Sequence, residues 1–133
     1  RNSSDNEEQS LRLGSATVRS KTPVLKEYEK TVIKVLTADV LSPSQISDVL
    51  EKGELLSYEY TGSGYFLKII HPSLPDHRIV CDSPILGKAD DILCGFIVFI
   101  ENRSLLLECH SWSEPSVPED FRQRNVLIDL LPL

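Results

Sequence analysis

Three histidines and three cysteines are the side chains best suited to metal or nucleophile chemistry, and their spacing argues against both. His71, His77, Cys81, Cys94, Cys109 and His110 include no CxxC knuckle of the kind from which zinc sites are usually assembled. His77 and Cys81 share a face only if the chain between them is a regular strand. Cys109 and His110 are adjacent, so on a strand they point to opposite faces and cannot both reach one ion. An odd number of thiols without paired spacing reads as small buried hydrophobes in a reducing compartment. No metal and no cofactor is expected. A cysteine nucleophile fares no better: a thiol on an apolar face has a raised pKa, and Cys81 beside Asp82 lacks a base to activate it. Gly62-Ser63-Gly64 lacks the surroundings of a nucleophile elbow and reads as a turn. The carboxylates of Asp90, Asp91, Glu101 and Glu108 lack the alternating spacing of a calcium loop.

Glu108, His110 and Trp112 form a different set. At alternate positions of one strand they share a surface strip, with neighbours roughly 7 Å apart. Ile97 and Phe99 belong to the same face of the preceding strand and give the strip an apolar floor. Gly95, opposite His110, is expected to leave room beside the imidazole for a partner or another backbone. A carboxylate, an imidazole and an indole over such a floor resemble the core of an interface more than a catalytic site. The bland alternative is that this face packs beneath helices, with Glu108 at its edge.

The strip depends on a hairpin over residues 91–112 whose register the sequence dictates. With Asn102-Arg103 as a two-residue turn, Ile100 faces Leu105, Val98 faces Leu107, Phe96 faces Cys109 and Cys94 faces Ser111. One face is then almost wholly apolar. A turn one residue longer brings Glu108 opposite Phe96 and mixes charge into that face. The turn itself is weak, because arginine gains nothing from positive φ. Cys94 and Cys109 are diagonal neighbours on the apolar face, where a disulfide would strain the ladder.

Residues 1–21 are rich in Ser, Asn, Glu and Arg without sustained periodicity and read as a disordered polar tail. Residues 22–133 read as a single α+β domain. A first helix is expected from Thr22-Pro23, with Leu25, Tyr28, Val32 and Leu36 at helical spacing, although KTVIKVL also suits a strand. Ser42-Pro43-Ser44-Gln45 is a capping box opening a second helix, with Ile46, Val49 and Leu50 on one face and Gly53 at its end. ELLSYEY and YFLKIIH then form a hairpin in which Tyr60 faces Tyr65, Tyr58 faces Leu67 and Leu56 faces Ile69. A short strand over 78–82, a loop over 83–90, the central hairpin, one helical turn over 119–124 and a last strand over 125–131 complete the chain. The fold expected is two N-terminal helices followed by an antiparallel sheet of about five or six strands.

The net charge of −6 hides a positive tail: residues 1–21 contribute +1, so the remainder carries about −7. That argues against a general nucleic-acid backbone binder and is compatible with a basic protein partner or a cationic ligand, the bland alternative being solubility alone. No apolar run approaches the length of a membrane span, and the first residues resemble neither a signal nor a transit peptide. A cytoplasmic location follows as an expectation. The absence of methionine implies that the initiator is missing. The two glycosylation sequons, at Asn2 and Asn102, read as chance matches without a secretory signal.

These observations lead to a small acidic protein-binding module, of immunity or antitoxin type, that binds a basic protein through Glu108, His110, Trp112, Ile97 and Phe99. An enzyme would instead be a small hydrolase or transferase using His110 with Glu108 or Asp82. A third reading is a catalytically inert homodimer built through the same face or the edge of the last strand.

Overall fold

The computed structural model describes residues 24–112 and 116–130. The expected tail and the Thr22-Pro23 helix start lie outside these residues. Within them, two helices precede a seven-stranded antiparallel sheet: α1 (Glu27–Thr37), α2 (Pro43–Lys52), β1 (Glu54–Tyr60), β2 (Tyr65–Ile70), β3 (Ile79–Cys81), β4 (Ile85–Ala89), β5 (Ile92–Glu101), β6 (Ser104–Ser111) and β7 (Leu127–Leu130). This is the α+β arrangement expected. Its strand order is β1-β2-β6-β5-β4-β7, with β3 also pairing β5. No helix among the described residues is long and apolar enough to cross a membrane.

The β-branched run in α1 folds as helix because Tyr28, Val32, Ile33 and Leu36 then form one buried stripe. In α2 the capping box is complete: Ser42 Oγ accepts from Gln45 N–H at 3.1 Å, and Ser42 N–H donates to Gln45 Oε1 at 2.8 Å. Gly53 ends the helix for a reason of space. Its backbone is extended at φ −63°, and a Cβ there would lie 2.4 Å from the Val49 carbonyl oxygen and 2.6 Å from Ile69 Cγ2.

The β5–β6 hairpin has the expected register throughout, from Ile100 opposite Leu105 to Cys94 opposite Ser111. Asn102 and Arg103 both take positive φ, 54° and 59°, as a two-residue turn of this twist requires. In the β1–β2 hairpin Tyr60 faces Tyr65 and Tyr58 faces Leu67, but Leu56 does not face Ile69. A bulge between Leu55 and Ser57 gives that position to Leu55 and leaves Leu56 51% exposed. The segment expected as a loop over 83–90 contains β4, paired with β5 on one side and β7 on the other. The helical turn near 119–124 is a 3-10 turn, Phe121–Gln123.

The helices cover the sheet face that carries Leu67, Ile69, Cys94, Phe96, Val98, Leu105, Leu107 and Cys109, all buried. Val117 and Phe121 close the same core from the chain that follows β6. The other face of the sheet has no helix on it among the described residues.

Candidate functional site

The open face can be written as rows of side chains running across the strands. One row is Glu59, Phe66, Glu108 and Ile97, from β1 through β2 and β6 to β5. The next is Ser57, Lys68, Leu106, Phe99 and Val80. On the other side of the first row lie His110, Gly95, Leu86 and Asp129. Trp112 follows at the end of the strip, its backbone N–H donating to the Leu93 carbonyl at 3.1 Å. All five residues expected to form the site therefore lie on one surface. Ile97, Phe99, Glu108 and His110 are half-buried by one another, and Trp112 is 48% exposed.

Register also brings in residues that the sequence reading left out. Phe66 and Leu106 extend the apolar floor, because β2 lies against β6 and its alternation matches. Arg78 stacks its guanidinium over Phe99, 5.7 Å from the ring centre, and reaches Glu101 at 3.4 Å. The acidic groups Glu54, Glu59, Glu101, Glu108 and Asp129 share this face with Lys68, Lys88 and Arg78. A floor of aromatic and aliphatic side chains is thus rimmed by more negative than positive charge.

Gly95 does not leave a gap beside His110 for a partner. A Cβ on Gly95 would lie 2.6 Å from His110 Nε2 and 2.8 Å from Trp112 Nε1, so both rings already lean across the glycine and fill the space above it. The inward lean buries His110 Nδ1 without a hydrogen-bond partner among the described residues. Glu108 Oε2 lies 3.7 Å from that nitrogen, too far for a hydrogen bond but close enough to attract a protonated imidazole.

The thiols lie elsewhere. Cys94 and Cys109 are buried beneath the helices, on the opposite face from His110. A hydrogen bond to Cys94, together with burial, pushes the Cys109 thiol up, and burial pushes Cys81 up as well. Neither is an activated nucleophile. No group of three or more His, Cys, Asp or Glu among the described residues is placed to hold a metal ion. Two clefts are lined by other residues: one of about 550 Å³ between α1 and α2, beside Lys30, Lys34 and Leu50, and one of about 390 Å³ beside Lys52, His71 and Arg103.

A second polar cluster lies beneath the helices, and sequence reading missed it. Glu29 in α1 is fully buried and takes four hydrogen bonds. Its Oε1 accepts from Lys26 N–H at 2.8 Å and Arg122 Nη2 at 2.9 Å; its Oε2 accepts from Tyr65 Oη at 2.6 Å and Arg122 Nε at 2.7 Å. Tyr28 and Tyr65 share a hydroxyl–hydroxyl contact, and the Arg122 guanidinium lies 5.3 Å from the Tyr58 ring centre. Burial works against the Arg122 charge, but the hydrogen bonds and charge of Glu29 outweigh it, so Arg122 is held above its ordinary range. Burial and the Glu29 carboxylate push Tyr28 and Tyr65 up. Each carboxylate oxygen is satisfied, and the cluster ties α1 to β2 and to the 3-10 turn.

No family model, curated protein or solved structure matches this chain. The reading of its function therefore stands on the open face alone.

Proposed function

We propose that this chain is a non-catalytic protein-binding module that seats a basic partner on the open face of its sheet, in the manner of a small immunity or antitoxin protein. The observation that carries the reading is the placement of the helices. They cover the Cys94 and Cys109 face, so Ile97, Phe99, Leu106 and Phe66, with Trp112 at one end, are left without a covering element among the described residues. Aromatic anchors within a polar rim are the usual anatomy of an interface. The surplus of carboxylates on that rim favours a cationic partner, whose association weakens as salt screens the charges.

The test compares the wild-type chain with Phe99→Glu as bait, after circular dichroism confirms that the variant folds. A specific partner retained at low ionic strength, released by salt and lost with Phe99→Glu is the expected result. Equal capture by both baits, or no specific partner at low ionic strength, refutes the proposal.

The competing reading, a small hydrolase or transferase, draws on the 3.7 Å approach of Glu108 to His110. It requires turnover that His110→Asn abolishes in a folded protein. Asp82, the other carboxylate considered for it, lies just beyond β3, which pairs with the Val98–Ile100 half of β5, whereas His110 is opposite Gly95.

A further inference from the structure

The sheet ends in two unlike edges. β1 carries the bulge at Leu56 and sets Glu54 and Glu59 along its length, both devices that discourage another strand from pairing. β7, at the opposite end, pairs with β4 alone among the described residues. Over Leu127–Leu130 it has no bulge, proline or lysine, and Leu127 and Leu130 are 62% and 63% exposed.

We propose that β7 pairs antiparallel with β7 of a second copy, so that two sheets continue into one across a two-fold axis. Symmetry and side-chain alternation narrow the register, and charge pairing selects within it. Leu127 and Asp129 share the open face with their neighbours Lys88 and Leu86, whereas Ile128 and Leu130 lie on the helix side, opposite Gly87 and Ile85. Residues meeting across an antiparallel pair must share a face, so one residue of the strand must sit on the axis opposite itself. Asp129 in that position would set two carboxylates against each other. Ile128 in that position gives Ile128 against Ile128, Val126 against Leu130 and Leu127 against Asp129. The helix side of the seam is then wholly apolar.

The open side of the seam supplies charge complementarity. Lys88 lies one strand inward from Leu127, so it is two strand spacings, about 10 Å between backbones, from the second copy's Asp129. Extended lysine and aspartate side chains span that gap. Neither Lys88 nor Asp129 has an ion-pair partner within its own copy among the described residues. The axis generates the Lys88–Asp129 pair twice. Because the β1 edge is blunted, pairing stops at two copies and does not run on into a filament.

Light scattering after size exclusion, over a range of loading concentrations of the full chain, tests this directly. The wild type is expected to form a dimer that dissociates on dilution. Asp129→Lys places a lysine against Lys88 across the seam and is expected to weaken dimerisation about a hundredfold or more. Adding Lys88→Glu to Asp129→Lys is expected to restore the dimer with the charges exchanged. Both positions are exposed, so folding is checked by circular dichroism in each variant. A monomer at every concentration overturns the proposal, as does a dimer indifferent to Asp129→Lys or a folded double variant that stays monomeric. Phe99→Glu, on the open face, is expected to leave the dimer intact. Dissociation by that variant would place the contact on the open face and end the β7 assignment.

Discussion

Arg122→Met is the substitution whose cost the structure defines most closely. Glu29 is 0% exposed and Arg122 8%, and the guanidinium supplies two of the four hydrogen bonds on the Glu29 carboxylate, at 2.7 and 2.9 Å. It also donates to the Val24 carbonyl at 2.7 Å. Methionine fills much of the volume but leaves the carboxylate buried with only Lys26 N–H and the Tyr65 hydroxyl. Breaking a buried pair from one side costs about 3–5 kcal/mol, a large share of the roughly 5–15 kcal/mol that holds an ordinary domain together. In a domain of this size that corresponds to a fall of about 10–20 °C in Tm. Urea denaturation followed by far-ultraviolet circular dichroism measures it, with the slope checked for two-state behaviour. Glu29→Leu combined with Arg122→Met removes both charges and is expected to be more stable than Arg122→Met alone. A loss below about 1 kcal/mol for Arg122→Met, the scale of an exposed pair, would refute the reasoning. So would a double variant less stable than the single one.

Two further outcomes follow from the same geometry. Gly95→Val puts side-chain atoms where His110 and Trp112 now lean together, so the rings must swing outward. A red shift in the fluorescence of Trp112, the chain's one tryptophan, is expected with a stability loss of about 1–3 kcal/mol, and an unshifted emission would contradict the ring placement. Alkaline pH should destabilise the fold. Tyr28, Tyr65, Cys81 and Cys109 are all held above their ordinary values of 10.0 for tyrosine and 9.0 for cysteine, so the folded state retains protons that the unfolded chain releases. The stability this confers is complete below those ordinary values and is lost as pH rises beyond them. Tm should be flat near neutrality and fall from about pH 9 upward, less steeply in Tyr65→Phe. A Tm constant to pH 11 would contradict it.

The central hairpin was legible because its apolar residues alternate without interruption, so a one-residue slip would have put Glu108 opposite Phe96. That single inference also separated the thiols from His110. β4 was hidden by Gly87, which reads as loop punctuation. Its actual reason is close approach: a Cβ there would meet Cys94 Sγ at 2.7 Å and Phe96 Cε2 at 2.8 Å. Leu56 was misplaced because a bulge shifts the register by one residue and leaves little trace in a pattern of apolar and polar positions. The filled space above Gly95 is not legible in sequence, since alternation tells which face a ring occupies but not which way it leans. The Glu29 and Arg122 pair was invisible for another reason. Glu29 sits between Tyr28 and Lys30 in a charged first turn, where a glutamate is ordinarily solvated, and its partner lies 93 residues away.

The Asn102-Arg103 turn has a consequence for how the chain folds. Two residues other than glycine are held at positive φ there, an arrangement that local preference alone opposes. What secures it comes from the β2–β3 connection: Asn102 N–H donates to the Asp76 carbonyl, Arg103 N–H to the Pro75 carbonyl, and the Arg103 guanidinium to Asp76 and the Pro72 carbonyl. The turn at the middle of the sheet is therefore held by contacts from outside its own hairpin. Its closure is coupled to a segment some thirty residues earlier, at about the loop-closure entropy of that separation. A peptide of residues 91–112 alone would keep the right register on paper and lack the contacts that hold its bend. The hairpin most readable from sequence is thus one whose bend is held from outside, by the β2–β3 connection rather than by its own two residues.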